Sequence, residues 1–93
     1  MSVEVRVPTL LQKVVGGAKV VQGDGATILE LLDDLDRRYP GLKQKLVMDD
    51  GQLHKFVNIY VNNEDIRFLG RLEARLAEGD VVSILPAVAG GSA

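Results

Sequence analysis

The 93-residue sequence contains no cysteine and no tryptophan, one histidine, two phenylalanines and two tyrosines. Without cysteine there is no disulfide framework, no thiolate zinc site and no catalytic thiol. With His54 as the single imidazole, metal ligation would have to rest on carboxylates, and no metal site is expected. So few aromatic rings leave little surface for stacking nucleobases. An excess of one charge is missing too. Eleven Lys and Arg stand against thirteen Asp and Glu, a net charge of -2, whereas nucleic-acid modules gather a basic excess on one face. No apolar run approaches the ~20 residues of a membrane span, and Met1-Ser2-Val3-Glu4 lacks the basic-then-apolar pattern of a secretory signal. These absences predict a cytoplasmic chain with no nucleic-acid or membrane partner and no bound cofactor. They also remove most enzyme chemistries, leaving a small carrier, adaptor or subunit.

What is present is one domain's worth of chain, 46% hydrophobic and 26% charged, enough for one modest core. Val3, Val5 and Val7 alternate with Glu4 and Arg6 as a strand with one wet face, which Pro8 ends. Gly16-Gly17 is a turn and Lys19 to Gln22 a shorter second strand, so the chain opens on a hairpin whose loop lies between Thr9 and Gly16. Gly23-Asp24-Gly25 reads as a break. Thr27 and Glu30 form a capping box at the start of a helix. Ile28, Leu31 or Leu32, Leu35 and Tyr39 supply its apolar stripe. Asp33, Asp34, Asp36, Arg37 and Arg38 are expected on its solvated faces, and Pro40-Gly41 stops it.

Leu42 and Leu46 mark a short extra helical turn, and Asp49-Asp50-Gly51 a chain reversal. Phe56 to Asn62 is a strand with Val57, Ile59 and Val61 on one face and Phe56, Asn58, Tyr60 and Asn62 on the other. Asn62-Asn63-Glu64-Asp65 reads as a turn, Ile66-Arg67-Phe68 as a short edge strand, and Leu72 with Leu76 as a single helical turn ending at Gly79-Asp80. A last strand runs from Val81 to Leu85, closed by Pro86. His54 precedes a strand and has no second histidine to act with, so it is expected to be structural or solvent-exposed. Asp49, Asp50, Glu64 and Asp65 are turn residues with no catalytic role.

One amphipathic helix cannot bury its stripe alone and must lie across one face of a mixed sheet. The order β-β-α-β-(β)-β therefore predicts an α+β, β-grasp (ubiquitin-like) domain over residues 1–86. Residues 87–93 follow as a flexible arm carrying Gly90-Gly91. Frayed termini are common. This one is uncharged, however, and Ala87 to Gly91 extended at ~3.4 Å per residue reach about 17 Å. Glycines at the tip let a backbone pass a narrow channel. The reactive group would then be the main-chain carboxylate of Gly91.

The tail Leu85-Pro86-Ala87-Val88-Ala89-Gly90-Gly91 resembles that of the MoaD and ThiS family of ubiquitin-like sulfur carriers. The stretch Leu53-His54-Lys55-Phe56-Val57-Asn58-Ile59-Tyr60-Val61-Asn62, followed by Glu64-Asp65-Ile66-Arg67-Phe68, is similar to the CysO branch, which serves cysteine biosynthesis. Nearly all of residues 3–91 take part. The resemblance implies that an E1-like enzyme, using ATP and magnesium, adenylates Gly91. A sulfur source then displaces AMP to leave a thiocarboxylate. It further implies a cysteine synthase-like acceptor of that sulfur and a JAMM-type metalloprotease. The chain itself would be a protein co-substrate and not an enzyme.

Ser92-Ala93 depart from the family's glycine terminus, moving the carboxylate about 7 Å outward. They are either removed by cleavage between Gly91 and Ser92 or are an inert addition. Strand parity places Val82 and Ile84 against the helix and exposes Leu85, with Asn58 and Tyr60 on the same outer face. By resemblance that face meets the activating enzyme, at Leu85 and Tyr60 with Phe56, Arg6, Pro86 and Val88 nearby. Taken singly, an exposed Leu or Tyr needs no such explanation. Delivery to molybdopterin or thiazole synthesis, a ubiquitin-like modifier joined to lysines, and a plain interaction module remain alternatives.

Overall fold

Alternation decides the sheet. In β1 (Ser2–Arg6) the valines at 3 and 5 are buried and Glu4 and Arg6 face out. The computed structural model describes residues 2–55 and 57–87. After β1 come a 3-10 helix (Thr9–Val15), β2 (Val20–Asp24), α1 (Ile28–Arg38) and α2 (Leu42–Leu46). Then follow β3 (Val57–Val61), β4 (Glu64–Asp65), two 3-10 turns (Ile66–Phe68 and Arg71–Glu73) and β5 (Val81–Pro86). The strands form one five-stranded sheet in the order β2-β1-β5-β3-β4. Only the central β1–β5 pair is parallel; the other three pairs are antiparallel. With α1 packed across one face, this is the β-grasp, ubiquitin-like architecture.

α1 begins with half of the expected capping box, and the returning bond from Glu30 falls one residue before Thr27. The Thr27 hydroxyl accepts the Glu30 N–H, and the Glu30 carboxylate accepts the Ala26 N–H. Ile28, Leu31, Leu32 and Leu35 are all buried, in one core with Val3, Val5, Ile59, Val82 and Ile84. Tyr39 caps the helix end, half-buried.

Several local expectations are corrected. Gly23 and Asp24 are not a break but the last residues of β2, paired with Val3 and Ser2. A Cβ on Gly23 would sit 2.6 Å from Leu31 Cδ1, and one on Gly25 would sit 2.5 Å from the Leu31 backbone nitrogen. The two glycines are thus the places where the helix lies almost on the chain. The hairpin loop between Thr9 and Gly16 is a 3-10 helix that buries Leu11 and Val15, ended by Gly16 at φ 70. The edge strand is Glu64–Asp65, and Ile66–Phe68 is a 3-10 turn. Asn62 and Asn63 both take positive φ, 50 and 74, so a two-residue reversal puts Glu64 directly opposite Val61. The helical turn expected through Leu76 stops at Glu73, and the Leu76 N–H instead donates to the Ala26 carbonyl at 3.0 Å.

Asp34 is not solvated; it is 6% exposed. Its carboxylate accepts the Asp24 N–H at 2.9 Å and Arg38 Nε at 2.8 Å, and it also pairs with Arg37. Arg38 reaches on to the Asp24 carboxylate at 3.0 Å. The network ties the end of β2 to the exposed side of α1. The Asp24 N–H, then the two guanidinium groups, hold the Asp34 carboxyl below its ordinary range, against burial, which pushes it up.

Two predictions follow from this packing. Asp34→Asn should lower stability by about 1–3 kcal/mol at neutral pH, because it removes the buried charge that the Asp24 N–H and two guanidinium groups converge on. A depressed folded pKa gives stability that is complete above the ordinary carboxylate value of 3.8 and is lost as pH falls through the lowered one. The gap between wild type and variant in urea unfolding should therefore be constant from neutral pH down to about pH 5 and shrink as the pH falls on through 3.8 and below. Gly25→Ala should cost more than Gly23→Ala, about 3 kcal/mol against about 1–2, since a backbone cannot yield where a leucine methyl can. Thermal unfolding of the two variants checks the order.

Candidate functional site

β5 lies between two strands that hold it unequally. β1 pairs with Val81, Val82 and Ser83 only. β3 continues beside it to the end, Asn58 opposite Leu85 and Val57 opposite Pro86. The last turns of β5 thus run on past β1, and Pro86, which has no N–H for the ladder, closes the strand. Chain beyond this point leaves from the end of a central strand, which is a rigid base for it.

Parity assigns the faces. Val82 and Ile84 are buried against α1, while Leu85 is 46% exposed on the outer face. Register then sets out its neighbours: Val20, Arg6, Ser83 and Tyr60 form one row across four strands, with Asn58 and Leu85 next to it. Val20 is exposed and Tyr60 half-buried. Arg6 is held along its own strand by Glu4, Nε to Oε2 at 3.1 Å. Leu85, Tyr60 and Arg6 therefore do share the outer face, while Pro86, opposite the buried Val57, has the other parity and adjoins them at the end of the strand. Phe56, Val88, Gly90, Gly91 and Ser92 lie outside the described residues.

Among the described residues no group of three or more His, Cys, Asp or Glu could hold a metal ion, and no helix is long and apolar enough to cross a membrane. His54 lies half-buried, with Nε2 3.2 Å from the Gln44 carbonyl oxygen. A groove of about 350 Å³ exists, but Leu29, Val47, Met48 and Leu72 line it on the helical side, away from the chain exit. What the outer face offers is contact.

One exposed residue had no role in the sequence reading. Phe68, placed there in an edge strand, stands 80% exposed on the 3-10 turn after β4. The available signal was Asp65 two residues before Arg67: an aspartate that caps a turn through the following N–H and pairs with the arginine.

Over residues 5–91 the chain matches the ThiS family model. It belongs to the ThiS family. This ThiS-family chain is 48% identical over 93 residues to sulfur carrier protein CysO of Mycobacterium tuberculosis, covering 98% of this chain and 100% of that one. It superposes with a TM-score of 0.88 and 52% identity on a chain of the Amycolatopsis orientalis BexX/CysO complex crystal structure, covering 96% of this chain and 99% of that one. It is also 33% identical over 93 residues to small archaeal modifier protein 3 of Haloferax volcanii, with 98% and 100% coverage.

Proposed function

We propose that this chain is a sulfur carrier, a protein substrate for other enzymes, whose reactive group is the main-chain carboxylate of Gly91. The observation that carries the reading is end-to-end similarity to sulfur carrier protein CysO, together with a family match that extends to Gly91 itself. A domain with no thiol of its own fits a role in which sulfur rides on the backbone.

The proposed chemistry runs in two steps. A carboxylate oxygen of Gly91 attacks the α-phosphate of ATP on an E1-like enzyme that also supplies magnesium, and pyrophosphate leaves. A sulfur donor then attacks the acyl carbon of the adenylate and AMP leaves, giving the Gly91 thiocarboxylate. Residues following Gly91 must first be removed, because an amide there has no free carboxylate to activate; a JAMM-type metalloprotease is the proposed agent. Removal also places the terminus correctly, and misplacement by ~1 Å can cost about a hundredfold in rate. The acceptor is proposed to be a cysteine synthase-like enzyme. The fold's part is to hold Leu85 and Tyr60 against the activating enzyme while residues 87–91 form a narrow arm into its site.

The similarity to a small archaeal modifier protein supports a second reading, in which activated Gly91 forms an isopeptide with lysines of target proteins. Lysines bearing a Gly-Gly remnant in digests of cell protein would favour it.

The test is intact mass after incubation with an E1-like enzyme, ATP, magnesium and sulfide. The chain cut back to Gly91 should gain a species with one carboxylate oxygen replaced by sulfur, and the chain continuing through Ser92 should not. Absence of the adenylate and of the sulfur-bearing species from the trimmed chain would overturn the reading. Leu85→Glu should leave thermal unfolding unchanged and lower adenylation by at least about thirtyfold, the loss expected at an interface hot spot.

A further inference from the structure

Register puts two of the sequence's three prolines, Pro8 and Pro86, at the same end of one ladder. Bonds already made fix the side that each backbone group takes. In β1 the Glu4 N–H donates to the Asp80 carbonyl at 3.1 Å and the Val7 N–H to the Lys19 carbonyl at 2.9 Å. Even-numbered residues of this strand therefore turn towards β5 and odd-numbered ones towards β2. Pro8, at φ -71 and ψ 157, is still extended, and it stands where the next N–H for the Ile84 carbonyl would be. In β5 the Val81 carbonyl accepts the Asn62 N–H at 2.8 Å, so odd-numbered residues there turn towards β3 and even-numbered ones towards β1. Pro86 stands where the next N–H back towards β1 would be.

The parallel ladder is thus closed from both of its strands. This is why β1 pairs no further than Ser83 while β3 goes on to Pro86. The Pro8 carbonyl is turned to other use as well, accepting the Leu11 N–H at 2.9 Å. Burial does not account for the Pro86 ring, which is exposed. What the ring fixes is backbone. It holds its own φ near about -65° and keeps the preceding residue, Leu85, extended. Leu85 is thereby kept from turning helical, and the chain enters Ala87, itself half-buried, at one angle.

We propose that Pro86 is a positioning residue for the arm: it closes the ladder on the β1 side and restricts the backbone at the exit, so that the chain leaves the sheet in a small set of directions. The proposal rests on the carrier reading above and adds to it the residue that aims the reacting terminus. A freer hinge at this point would leave the Leu85 face as it is and spread Gly91 over more positions before it reaches the adenylation site. Docking precedes entry of the arm, so the cost falls on turnover and not on affinity.

The test follows pyrophosphate release by an E1-like enzyme as the concentration of carrier ending at Gly91 is varied. Pro86→Ala should lower kcat about 2–5-fold and Pro86→Gly about 5–30-fold, with KM and thermal unfolding unchanged. In the carrier alone, the amide order parameter of Ala87 should fall in Pro86→Gly towards the flexible range below about 0.6, while those of Val81 to Leu85 keep their values. A kcat for Pro86→Gly within about twofold of wild type overturns this inference and leaves the carrier reading standing, whether or not the unfolding temperature moves. A lowered kcat with the Ala87 order parameter unchanged overturns it too. So does a raised KM with kcat unchanged, which assigns the ring to contact with the enzyme. Should Pro86→Gly not fold, Pro86→Ala decides in the same way, a kcat equal to wild type overturning the inference. Failure of wild type to be adenylated overturns both readings.

Discussion

The close approach of α1 to the sheet is the constraint on which everything else depends. Ile28, Leu31, Leu32 and Leu35 reach Val3, Val5, Ile59 and Ile84 only because β2 and the residue after it offer no Cβ where the helix comes down, at Gly23 and Gly25. Each such fully buried side chain contributes about 2 kcal/mol, and a chain this short has few of them. The helix therefore cannot be moved outward cheaply. Because one helix covers one face, the other face stays open. The outer face that carries Leu85, Tyr60 and Arg6 is a consequence of where the core was put.

The central parallel pair sets where the chain leaves the domain. β1 starts the chain and β5 ends the domain, side by side in the middle of the sheet, so the chain leaves from a strand flanked on both sides for part of its length. β3 then accompanies it alone to Pro86. In the proposed carrier the reacting atoms belong to the backbone beyond that point. The domain's task becomes mechanical: to present a terminus at a fixed distance from a recognisable surface. In that proposal covalent chemistry asks nothing of the side chains of a sequence with no cysteine and a single histidine.

Two aspartates do related work at opposite edges of the sheet. Asp34 holds the last residue of β2 through the Asp24 N–H and is compensated by Arg37 and Arg38. Asp65 ends β4, caps the next turn and is compensated by Arg67. Both carboxyls are held below their ordinary range by these donors, against the effect of burial. Each network satisfies the charge it buries, and among the described residues no buried side-chain polar atom lacks a partner. The turns next to these aspartates are consequently fixed in direction.

By itself the sequence determined the fold class and the sidedness of its long elements. The capping box at Thr27 and Glu30, the stripe from Ile28 to Leu35, and the alternation in β1, β3 and β5 are repeated local signals, each renewed every two to four residues. Strand parity was enough to put Leu85 outside and Ile84 inside. Tertiary structure decided the rest, wherever a residue's state depends on a partner far along the chain. Gly23 looked like a break because glycine is a turn residue in isolation, yet it is a strand residue facing Leu31. Asp34 looked solvated because its helix neighbours are charged, yet the Asp24 N–H draws it in from ten residues away. The edge strand was displaced from Ile66–Phe68 to Glu64–Asp65 because the Asn62-Asn63 reversal and the Asp65 cap act over single residues that no period can register. Periodic burial is written in the chain and can be read from it. Contacts between one strand's end and another element's side, such as the Asp24 N–H on the Asp34 carboxylate, are set only when the chain folds.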